Sequence, residues 1–289
     1  MITSDPHLRA RTLVEALPYI RRFHDEIIVI KYGGNVLSDA GSSLTELAED
    51  VALMRSVGMR PVIVHGGGPQ IDDLADRLGL VPSFVDGLRV TDAAMLEVVR
   101  MALLGTVNPA IVTALGCQGA AAVGLSGADS SLAIASRIST DLGFVGSINR
   151  VQTGVVAELV QAGVIPVVAS LGVETGGQLL NVNADSFASA LAVALGAAKL
   201  IFLTNISGLL AEIDDPDSLI AQVAVDQVQG LIDNGKIRGG MIPKVTAALD
   251  ASMGGVERVH LIDGTVPHSL LLELLTDEGV GTMIVGGSR

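Results

Sequence analysis

The segment IVIKYGGN, residues 28–35, ends a run of β-branched residues with a lysine and two glycines. Such an uninterrupted apolar run predicts a strand that is covered on both faces, as in parallel sheets. In these sheets, ligands bind beyond the carboxyl ends of the strands, which is where Lys31, Gly33 and Gly34 fall. A loop that only had to turn would not need the lysine. We therefore expect Lys31 to have a partner elsewhere in the chain.

The same kind of strand recurs along the sequence and alternates with helical patterns. The predicted strands are IIVIK (27–31), PVIVH (61–65), AAVGL (121–125), VIPVVA (164–169), KLIFLT (199–204), VERVHLI (256–262) and GTMIV (281–285). Helical patterns cover residues 43–58, 69–79, 92–115, 184–196 and 241–254. This alternation predicts an α/β fold with a mainly parallel sheet covered on both faces.

The composition limits the class of protein. A chain of 289 residues fits one large domain or two fused lobes, and 49% hydrophobic against 2% aromatic residues predicts an aliphatic core. A formal net charge of -13 and few stacking rings argue against nucleic-acid binding. Cys117 is the only cysteine, so no disulfide forms within the chain. The charged N-terminus and the absence of ~18 successive apolar residues predict a cytoplasmic protein with no membrane partner.

Two further loops follow strands and carry residues suited to anions. GGGP, residues 66–69, follows PVIVH, and glycine N–H groups ahead of a helix can form an anion-binding nest. Neither common nucleotide motif, G-x-x-x-x-G-K-[ST] or G-x-G-x-x-G after a strand, is present. In GLRVTD, residues 87–92, Arg89 could grip a carboxylate, and either Thr91 or Asp92 caps the next helix.

Two helix starts carry polar residues that their apolar helices do not explain. Asn181, Asn183 and Asp185 occupy alternate positions at the start of an Ala-rich helix, where capping accounts for only one of them. Lys244 lies in the first turn of an aliphatic helix, where a cation is unfavourable against the macrodipole unless an anion is close. Lys244 is therefore a candidate neighbour of Lys31.

Six motifs, in this order and spacing, resemble the amino acid kinase family: IKYGGN, VIVHGGGPQI, DGLRVTD, LNVNAD, LTNISGLL and GGMIPKV. Within the family they are most similar to the acetylglutamate kinases, and the match runs from about residue 11 to 286. The resemblance implies a three-layer αβα sandwich with an N-terminal lobe, residues 1–173, that binds acetylglutamate and dimerises. The C-terminal lobe, residues 174–289, would bind ATP and arginine.

The resemblance also implies roles for individual residues. Lys31 and Lys244 would contact the transferring phosphoryl group, and Asp185 would orient both lysines. The other implied contacts are Gly67, Gly68, Arg89 and Asn181 for the substrate, and Gly33, Gly34 and Thr204 for the nucleotide. ATP would enter with Mg²⁺ as a substrate complex, without a dedicated protein metal site. Because phosphoryl transfer depends on positioning and charge stabilisation, no general base is required of the chain.

The N-terminal segment supports one of two readings. LVEALPYIRRF predicts an amphipathic helix from about residue 7 to 24, kinked at Pro18, which either packs on the core or makes an oligomer contact. It resembles the N-terminal helix of hexameric acetylglutamate kinases, trimers of dimers, that L-arginine inhibits. The residues that this likeness implies for arginine are Tyr19, Lys199, His268 and Glu273.

Two positions depart from the pattern of the family, and two alternative functions remain open. Ala128 stands where many members carry lysine, and Ser147 where an acidic residue is common. Another kinase of the family, acting on aspartate, glutamate, carbamate or UMP, is the nearest alternative. A non-catalytic arginine sensor is the alternative from a different class, although Lys31, Lys244 and Asp185 are all present.

Overall fold

The computed structural model describes residues 6–33, 42–212, 215, 218–276 and 279–286. Its strands are β1 Ile27–Tyr32, β2 Arg60–His65, β3 Phe84–Val85, β4 Leu88–Arg89, β5 Ala122–Ser126, β6 Ala133–Arg137, β7 Val145–Val151, β8 Ile165–Ala169, β9 Leu171–Val173, β10 Leu179–Val182, β11 Lys199–Thr204, β12 Gln222–Ala224, β13 Arg258–Asp263 and β14 Thr282–Val285. All seven strands predicted from apolar runs are confirmed, with ends shifted by at most two residues.

The helices flank these strands and include all the predicted helical patterns, whereas the helices over residues 154–161, 225–233 and 269–275 were not predicted. They are α1 Pro6–Phe23, α2 Ser42–Ser56, α3 Gly68–Arg77, α4 Ala93–Ala102, α5 Asn108–Cys117, α6 Gly154–Gln161, α7 Ala184–Leu195, α8 Val225–Asp233, α9 Met241–Met253 and α10 Ser269–Leu275. A π-helical turn, Leu103–Val107, joins α4 to α5.

The main sheet has eight strands in the order β12-β14-β13-β11-β1-β2-β8-β5. Every neighbouring pair is parallel except β13 with β14. Strands β1 and β11 pair at its centre. One of them belongs to the predicted N-terminal lobe, residues 1–173, and the other to the predicted C-terminal lobe, so a single sheet runs through both. The division into two lobes stays a prediction.

Alternate residues of the central strands enter two separate cores. Val29 packs in a cluster with Phe187 of α7 and Val245 of α9, whereas Ile30 packs in a cluster with Val51 of α2 and other residues. Side chains of a strand alternate between faces, so this split places helices on both sides of the sheet. The expected three-layer αβα sandwich is confirmed.

A second, smaller sheet is absent from the predictions. β7 pairs antiparallel with β6 and parallel with β10, and β9 pairs with β10 and with Ile134 of β6. β7 has the sequence VGSINRV and exposes several of its residues. It lacks the continuous apolar run by which the other strands were predicted, which is why this sheet was missed.

The expectation that no segment is long and apolar enough for a membrane span needs correction. The helical stretch from Ala93 to Cys117 meets that criterion by length and composition. Glu97 and Arg100 interrupt it, so a count of successive apolar residues overlooks it. Its buried residues, including Val99, pack with residues of α3, as a core helix does.

The predicted N-terminal helix is confirmed as α1, which passes through Pro18. Its last residue, Phe23, is buried, whereas Leu13 and Val14 are 72% and 67% exposed. The C-terminal end of α1 packs against the body of the protein, and one apolar part of its surface stays uncovered in the single chain.

Candidate active site

A cluster of two lysines around one carboxylate lies at the carboxyl edge of the main sheet. Lys31 Nζ is 2.7 Å from Asp185 Oδ1, and Lys244 Nζ is 3.0 Å from Asp185 Oδ2. Lys31 and Asp185 are buried, with 6% and 5% of their surface exposed. Asp185 therefore pairs with Lys31, and Lys244 shares the same carboxylate.

Three elements bring these side chains together. Lys31 is the last but one residue of β1, and Lys244 lies in the first turn of α9. Asp185 lies in the first turn of α7, where the Asn183 side chain accepts hydrogen bonds from the N–H groups of Asp185 and Ser186. Asn183 is thus the residue that caps the helix, which leaves the Asp185 carboxylate free to face the lysines.

The charges of this cluster are unequal. Burial alone would raise the pKa of the Asp185 carboxyl, but the two neighbouring ammonium groups outweigh it and lower this pKa. Burial lowers the pKa of Lys31, and the charge of Lys244 lowers it further, against the attraction of Asp185. One ionised carboxylate between two cations leaves positive charge in excess. The cluster is therefore suited to a further anion.

The glycine loop between β2 and α3 faces the same space. Gly67 occupies the N-cap position of α3, and Gly67 and Gly68 line a cleft of about 250 Å³ together with Lys31, Asp185 and Lys244. A Cβ atom at Gly67 would lie 2.8 Å from Leu103 Cδ2, in the π-helical turn. The loop is therefore packed too closely at residue 67 to accept a side chain without movement.

Arg89 and Asn181 lie in the same cleft. The guanidinium of Arg89 is 2.6 Å from Asp72 Oδ1, and its Cζ lies 4.7 Å from the centre of the Phe84 ring. Asn181 Nδ2 donates to Thr91 Oγ1 at 3.1 Å, and Thr91 Oγ1 donates to the carbonyl of Arg89 at 2.8 Å. Thr91 therefore connects the two predicted substrate-binding residues, a role that was not predicted for it.

The structure also shows which residue caps the helix that follows Arg89. Asp92 is the N-cap residue of α4, and its carboxylate accepts from the N–H of Met95 at 2.8 Å. Thr91, the other candidate, is fully buried. Its hydroxyl bridges Arg89 and Asn181 instead of capping the helix.

Most predicted catalytic and binding residues meet in this one cleft. The predicted residues that line it are Lys31, Gly33, Gly67, Gly68, Arg89, Asn181, Asp185, Thr204 and Lys244. Gly34 lies outside the described residues. The departures Ala128 and Ser147 are not among the lining residues that the structure describes.

A second cleft, of about 480 Å³, adjoins the first through Asn205. It is lined by the residues of the NISGLL segment together with Lys236, Ile237, Arg238, Met241 and Asp263. The hydroxyl of Thr204 donates to the carbonyl of Ile206 and accepts from its N–H, at 2.8 and 3.1 Å. Thr204 thus holds the start of this segment at the junction between the two clefts.

A third cleft, of about 270 Å³, contains three of the four residues predicted for arginine: Tyr19, Lys199 and Glu273. Glu273 Oε1 is 2.5 Å from His260 Nδ1, and Glu273 Oε2 accepts from the N–H of Val280 at 2.7 Å. Burial lowers the pKa of Lys199 to about 8, partly offset by the charge of Glu273. Carboxylate and cation thus share one cleft, between α1 and the C-terminal strands.

The fourth residue, His268, has other neighbours. It does not line the third cleft, and its Nδ1 is 2.6 Å from Asp50 Oδ1 of α2. The hydrogen bond with Asp50 raises the pKa of His268. The structure therefore brings Tyr19, Lys199 and Glu273 together but places His268 apart from them.

His65 and Asn108 were not given roles from the sequence, yet both are buried beside the glycine loop. His65 Nδ1 is 2.9 Å from the carbonyl of Gly66, and its Nε2 is 2.9 Å from Asn108 Nδ2. A histidine that ends an otherwise aliphatic strand just before three glycines was the available signal. Asn108 gave none, because its contact depends on the packing of α5 against the sheet.

Comparison with known proteins gives one family. A model of the amino acid kinase family matches residues 26–263 of the chain. The chain is 51% identical over 286 residues to the acetylglutamate kinase of Symbiobacterium thermophilum, across 96% of this chain and 97% of that protein.

Among solved structures, the chain is similar to the N-acetylglutamate synthase of Neisseria gonorrhoeae in complex with coenzyme A and N-acetyl-glutamate. The TM-score is 0.85 at 30% identity, across 97% of this chain and 64% of the synthase, so the chain spans just under two thirds of that protein. The same synthase in complex with coenzyme A and L-arginine gives a TM-score of 0.81 at 29% identity, across 96% and 65% of the two chains.

Proposed function

Because the chain belongs to the amino acid kinase family, we propose that it transfers the γ-phosphoryl group of ATP to the γ-carboxylate of N-acetyl-L-glutamate. The product is N-acetylglutamyl 5-phosphate, and the reaction is the second step of arginine biosynthesis. The observation that carries the proposal is one cleft that is lined by Lys31, Asp185 and Lys244 and also by Arg89 and Asn181. Such a cleft offers the two lysines to a transferring phosphoryl group and a guanidinium to a carboxylate of the substrate.

The reaction needs charge stabilisation more than proton transfer. A γ-carboxylate oxygen forms a bond to the γ-phosphorus of ATP, and the bond to the bridging oxygen breaks, so that ADP leaves with its electron pair. The nucleophile is already ionised near pH 7, since the reference pKa of a glutamate side chain is about 4.3. Lys31 and Lys244 offset the repulsion between two anions, while Asp185 holds both ammonium groups in place.

The remaining predicted residues position the substrates. The N–H groups of Gly67 and Gly68 offer donors to carboxylate or phosphoryl oxygens, and Arg89 offers its free N–H groups to the α-carboxylate of acetylglutamate. The nucleotide occupies the adjoining cleft beyond Thr204, with its phosphates toward Gly33 and the lysines. The reaction thus takes place where the two clefts meet.

Mg²⁺ belongs to this proposal as part of the ATP complex. Asp185 is the only carboxylate among the described residues that line the first cleft, and both its oxygens already face lysines. In the described part of the chain no group of three or more His, Cys, Asp or Glu side chains forms a metal site. We propose that the phosphates of ATP bind the cation, which would neutralise part of their charge.

The proposal is tested by acceptor-dependent release of ADP. The pure protein is supplied with ATP, Mg²⁺ and N-acetylglutamate, aspartate, glutamate, carbamate or UMP in separate assays. We expect turnover with N-acetylglutamate far above that with any other acceptor. Preference for another acceptor would assign the protein to a different reaction of the family. No turnover with any acceptor, together with tight arginine binding, would favour the arginine sensor.

We further propose that L-arginine inhibits the enzyme by binding in the third cleft. The cleft combines the Glu273 carboxylate with the Lys199 ammonium, which complements an amino acid that carries both signs of charge. The related synthase has been solved with L-arginine, which supports this assignment without locating the ligand in this chain. Millimolar arginine should lower the activity of the pure enzyme, and unchanged activity would refute the proposal.

The exposed apolar part of α1 supports a homo-oligomer, which we propose to be a hexamer built as a trimer of dimers. Leu13 and Val14 would be covered by a second copy of α1. Sedimentation of the wild type should give a hexamer, whereas the double variant Leu13→Asp, Val14→Asp should give dimers. A hexamer that persists in the double variant would place the contact elsewhere.

A further inference from the structure

Two buried polar side chains connect strand β8 to the glycine loop through hydrogen bonds, and the proposed mechanism does not use them. They are Asn108, at the start of α5, and His65, at the end of β2. His65 has no exposed surface, and 6% of Asn108 is exposed. Buried polar side chains are costly unless they are hydrogen-bonded, so each contact of this pair carries information about its role.

The hydrogen bonds of Asn108 determine which ring nitrogen of His65 carries the proton. Asn108 Nδ2 donates to the carbonyl of Val167 at 2.8 Å and lies 2.9 Å from His65 Nε2. An amide nitrogen only donates, so His65 Nε2 must be the acceptor. The proton of a neutral ring is then on Nδ1, which donates to the carbonyl of Gly66 at 2.9 Å. Burial, partly offset by this bond, lowers the pKa of His65 to about 4, in agreement with a neutral ring.

The packing around Asn108 shows that the fold provides a specific place for this pair of side chains. A Cβ atom at Gly124 of β5 would lie 1.8 Å from Asn108 Oδ1, so the asparagine side chain occupies space that only a glycine leaves open. Asn108 directly follows the π-helical turn Leu103–Val107, and insertions of this kind are frequent at functional sites. Two residues of this turn, Leu103 and Val107, also lie against Gly67.

The position of the Gly66 carbonyl matters because of peptide geometry. The carbonyl of Gly66 and the N–H of Gly67 belong to one planar trans peptide unit and point in opposite directions. A hydrogen bond that fixes the carbonyl toward the buried His65 ring therefore fixes the Gly67 N–H away from it. Gly67 lines the cleft, and among the described residues its N–H has no hydrogen-bond acceptor. A donor held in this way is ready for an oxygen of the transferring group.

We propose that His65 is a positioning residue: its Nδ1–H holds the Gly66 carbonyl and so aims the Gly67 N–H at the transferring phosphoryl or carboxylate oxygen. Asn108 acts one step behind it by keeping the ring in the tautomer that can donate. The inference rests on the proposed function, because the direction of the Gly67 N–H affects turnover only when a reacting oxygen binds there. Fixed donors act on charge that develops in the transition state, so the effect belongs to kcat.

The donor and the acceptor of the His65 ring can be removed separately by substitution. In His65→Asn, an amide N–H can take the place of Nδ1 and bond to Gly66, but the acceptor for Asn108 is lost. In His65→Gln, an amide oxygen can take the place of Nε2 and accept from Asn108, but the donor to Gly66 is lost. Val62→Ala is the control, because Val62 is buried on the same strand and packs in the core cluster that contains Val29 and Phe187.

The two histidine variants should rank in opposite order in their loss of kcat and in their loss of thermal stability. His65→Gln should lower kcat by about 10-fold or more, with little change in either KM. His65→Asn should retain kcat within about 3-fold but melt at a lower temperature than His65→Gln, because one buried N–H of Asn108 loses its acceptor. Val62→Ala should melt earlier with an unchanged kcat. Equal losses of kcat in both histidine variants, or losses of kcat that follow the melting temperature, would overturn the positioning role.

An NMR measurement tests the geometry without reference to activity. Long-range proton–nitrogen spectra of the full-length, nitrogen-labelled protein show the tautomer of each of the five histidines, and the His65 signals are those missing from His65→Asn. We expect the proton on Nδ1 at pH 7, a neutral ring down to about pH 5, and a shifted Gly67 amide signal in His65→Gln. A proton on Nε2, or an unshifted Gly67 amide, would refute the inference. An inactive protein with the expected spectra would instead refute the proposed function alone.

Discussion

Asp185 Oδ1 lies 2.7 Å from Lys31 Nζ, across the junction between the first strand of the sheet and a helix that begins more than half-way along the chain. Both groups are buried, and a lone buried charge would be strongly unfavourable. Asp185 therefore stabilises Lys31 in the fold and also fixes where its charge lies in the cleft. Lys244 shares the same carboxylate from the other side, which makes the pair a site for a third, anionic group.

Lys244→Ala tests whether this excess charge acts in the transition state. We expect kcat to fall by about 100-fold or more, with a much smaller change in KM for N-acetylglutamate, because charge develops on the transferring group during reaction. The measurement is steady-state ADP release with each substrate varied in turn. Arg77→Ala, which removes an exposed cation of α3, should leave both constants unchanged. A large rise in KM with little loss of kcat would place Lys244 in ground-state binding.

Arg89→Lys tests recognition of the substrate's α-carboxylate. A lysine keeps the charge but loses the planar fork that binds a carboxylate through two parallel hydrogen bonds. KM for N-acetylglutamate should rise by about 10-fold, while KM for ATP stays near the wild-type value. Asp72→Asn is the matched control, because it removes the charge partner of Arg89 without touching the arginine. If KM for ATP rose as much as KM for N-acetylglutamate, Arg89 would not be specific for the acceptor.

The pH dependence of stability should report the buried His65. Its pKa in the folded protein is about 4, below the ordinary value of 6.5, so the unfolded chain binds more protons between these values. Its contribution to stability is therefore lost as the pH falls from 6.5 toward 4, by up to about 3 kcal/mol. The difference in unfolding free energy between wild type and His65→Asn should shrink across this interval in urea titrations.

Asp50 also changes the pH dependence of stability, so the effect of His65 must be measured as a difference between wild type and variant. Burial raises its pKa to about 6, against the attraction of His268, so its contribution has the opposite sign and increases as the pH falls from 6 toward 4. The raw stability curve of the wild type thus hides part of the histidine effect. Val62→Ala should differ from wild type by the same free energy at every pH. A constant difference for His65→Asn as well would mean that His65 titrates normally.

Glu273→Gln tests the arginine cleft. The variant keeps an acceptor for the Val280 N–H but removes the negative charge that faces Lys199. Arginine should then inhibit at least about 10-fold more weakly, while activity without arginine is retained. Dose–response curves for arginine give both quantities.

His268→Asn is the informative companion of that variant. His268 contacts Asp50 and lies outside the lining of the cleft, so we expect its replacement to change arginine inhibition less than Glu273→Gln does. A larger effect of His268→Asn would mean that the cleft rearranges around arginine to include this residue. Inhibition that neither variant changes would exclude this cleft as the arginine site.

Much of the fold could be predicted because the strands of the main sheet are marked by continuous apolar runs within single segments of the sequence. Continuous apolar runs such as KLIFLT bury well only in a sheet covered on both sides, and β11 spans residues 199–204 as expected. The small sheet formed by β6, β7, β9 and β10 could not be predicted in this way. Its longest strand, β7, is partly exposed and lacks a continuous apolar run, so the pattern that marks the strands of the main sheet is missing there.

The sequence by itself determined the α/β class and the identity of the charged residues at the sheet edge, because an uncompensated Lys31 or Lys244 in an apolar setting requires an anion. Only the tertiary structure decided the distances and directions at which these groups meet their neighbours. It gave both lysines one carboxylate, linked Asn181 to Arg89 through Thr91, and set His65 behind the glycine loop. These contacts depend on strand register and helix packing, which orient a side chain to within hydrogen-bond distance. Local residue patterns carry no such information, because they fix burial and element type but not direction.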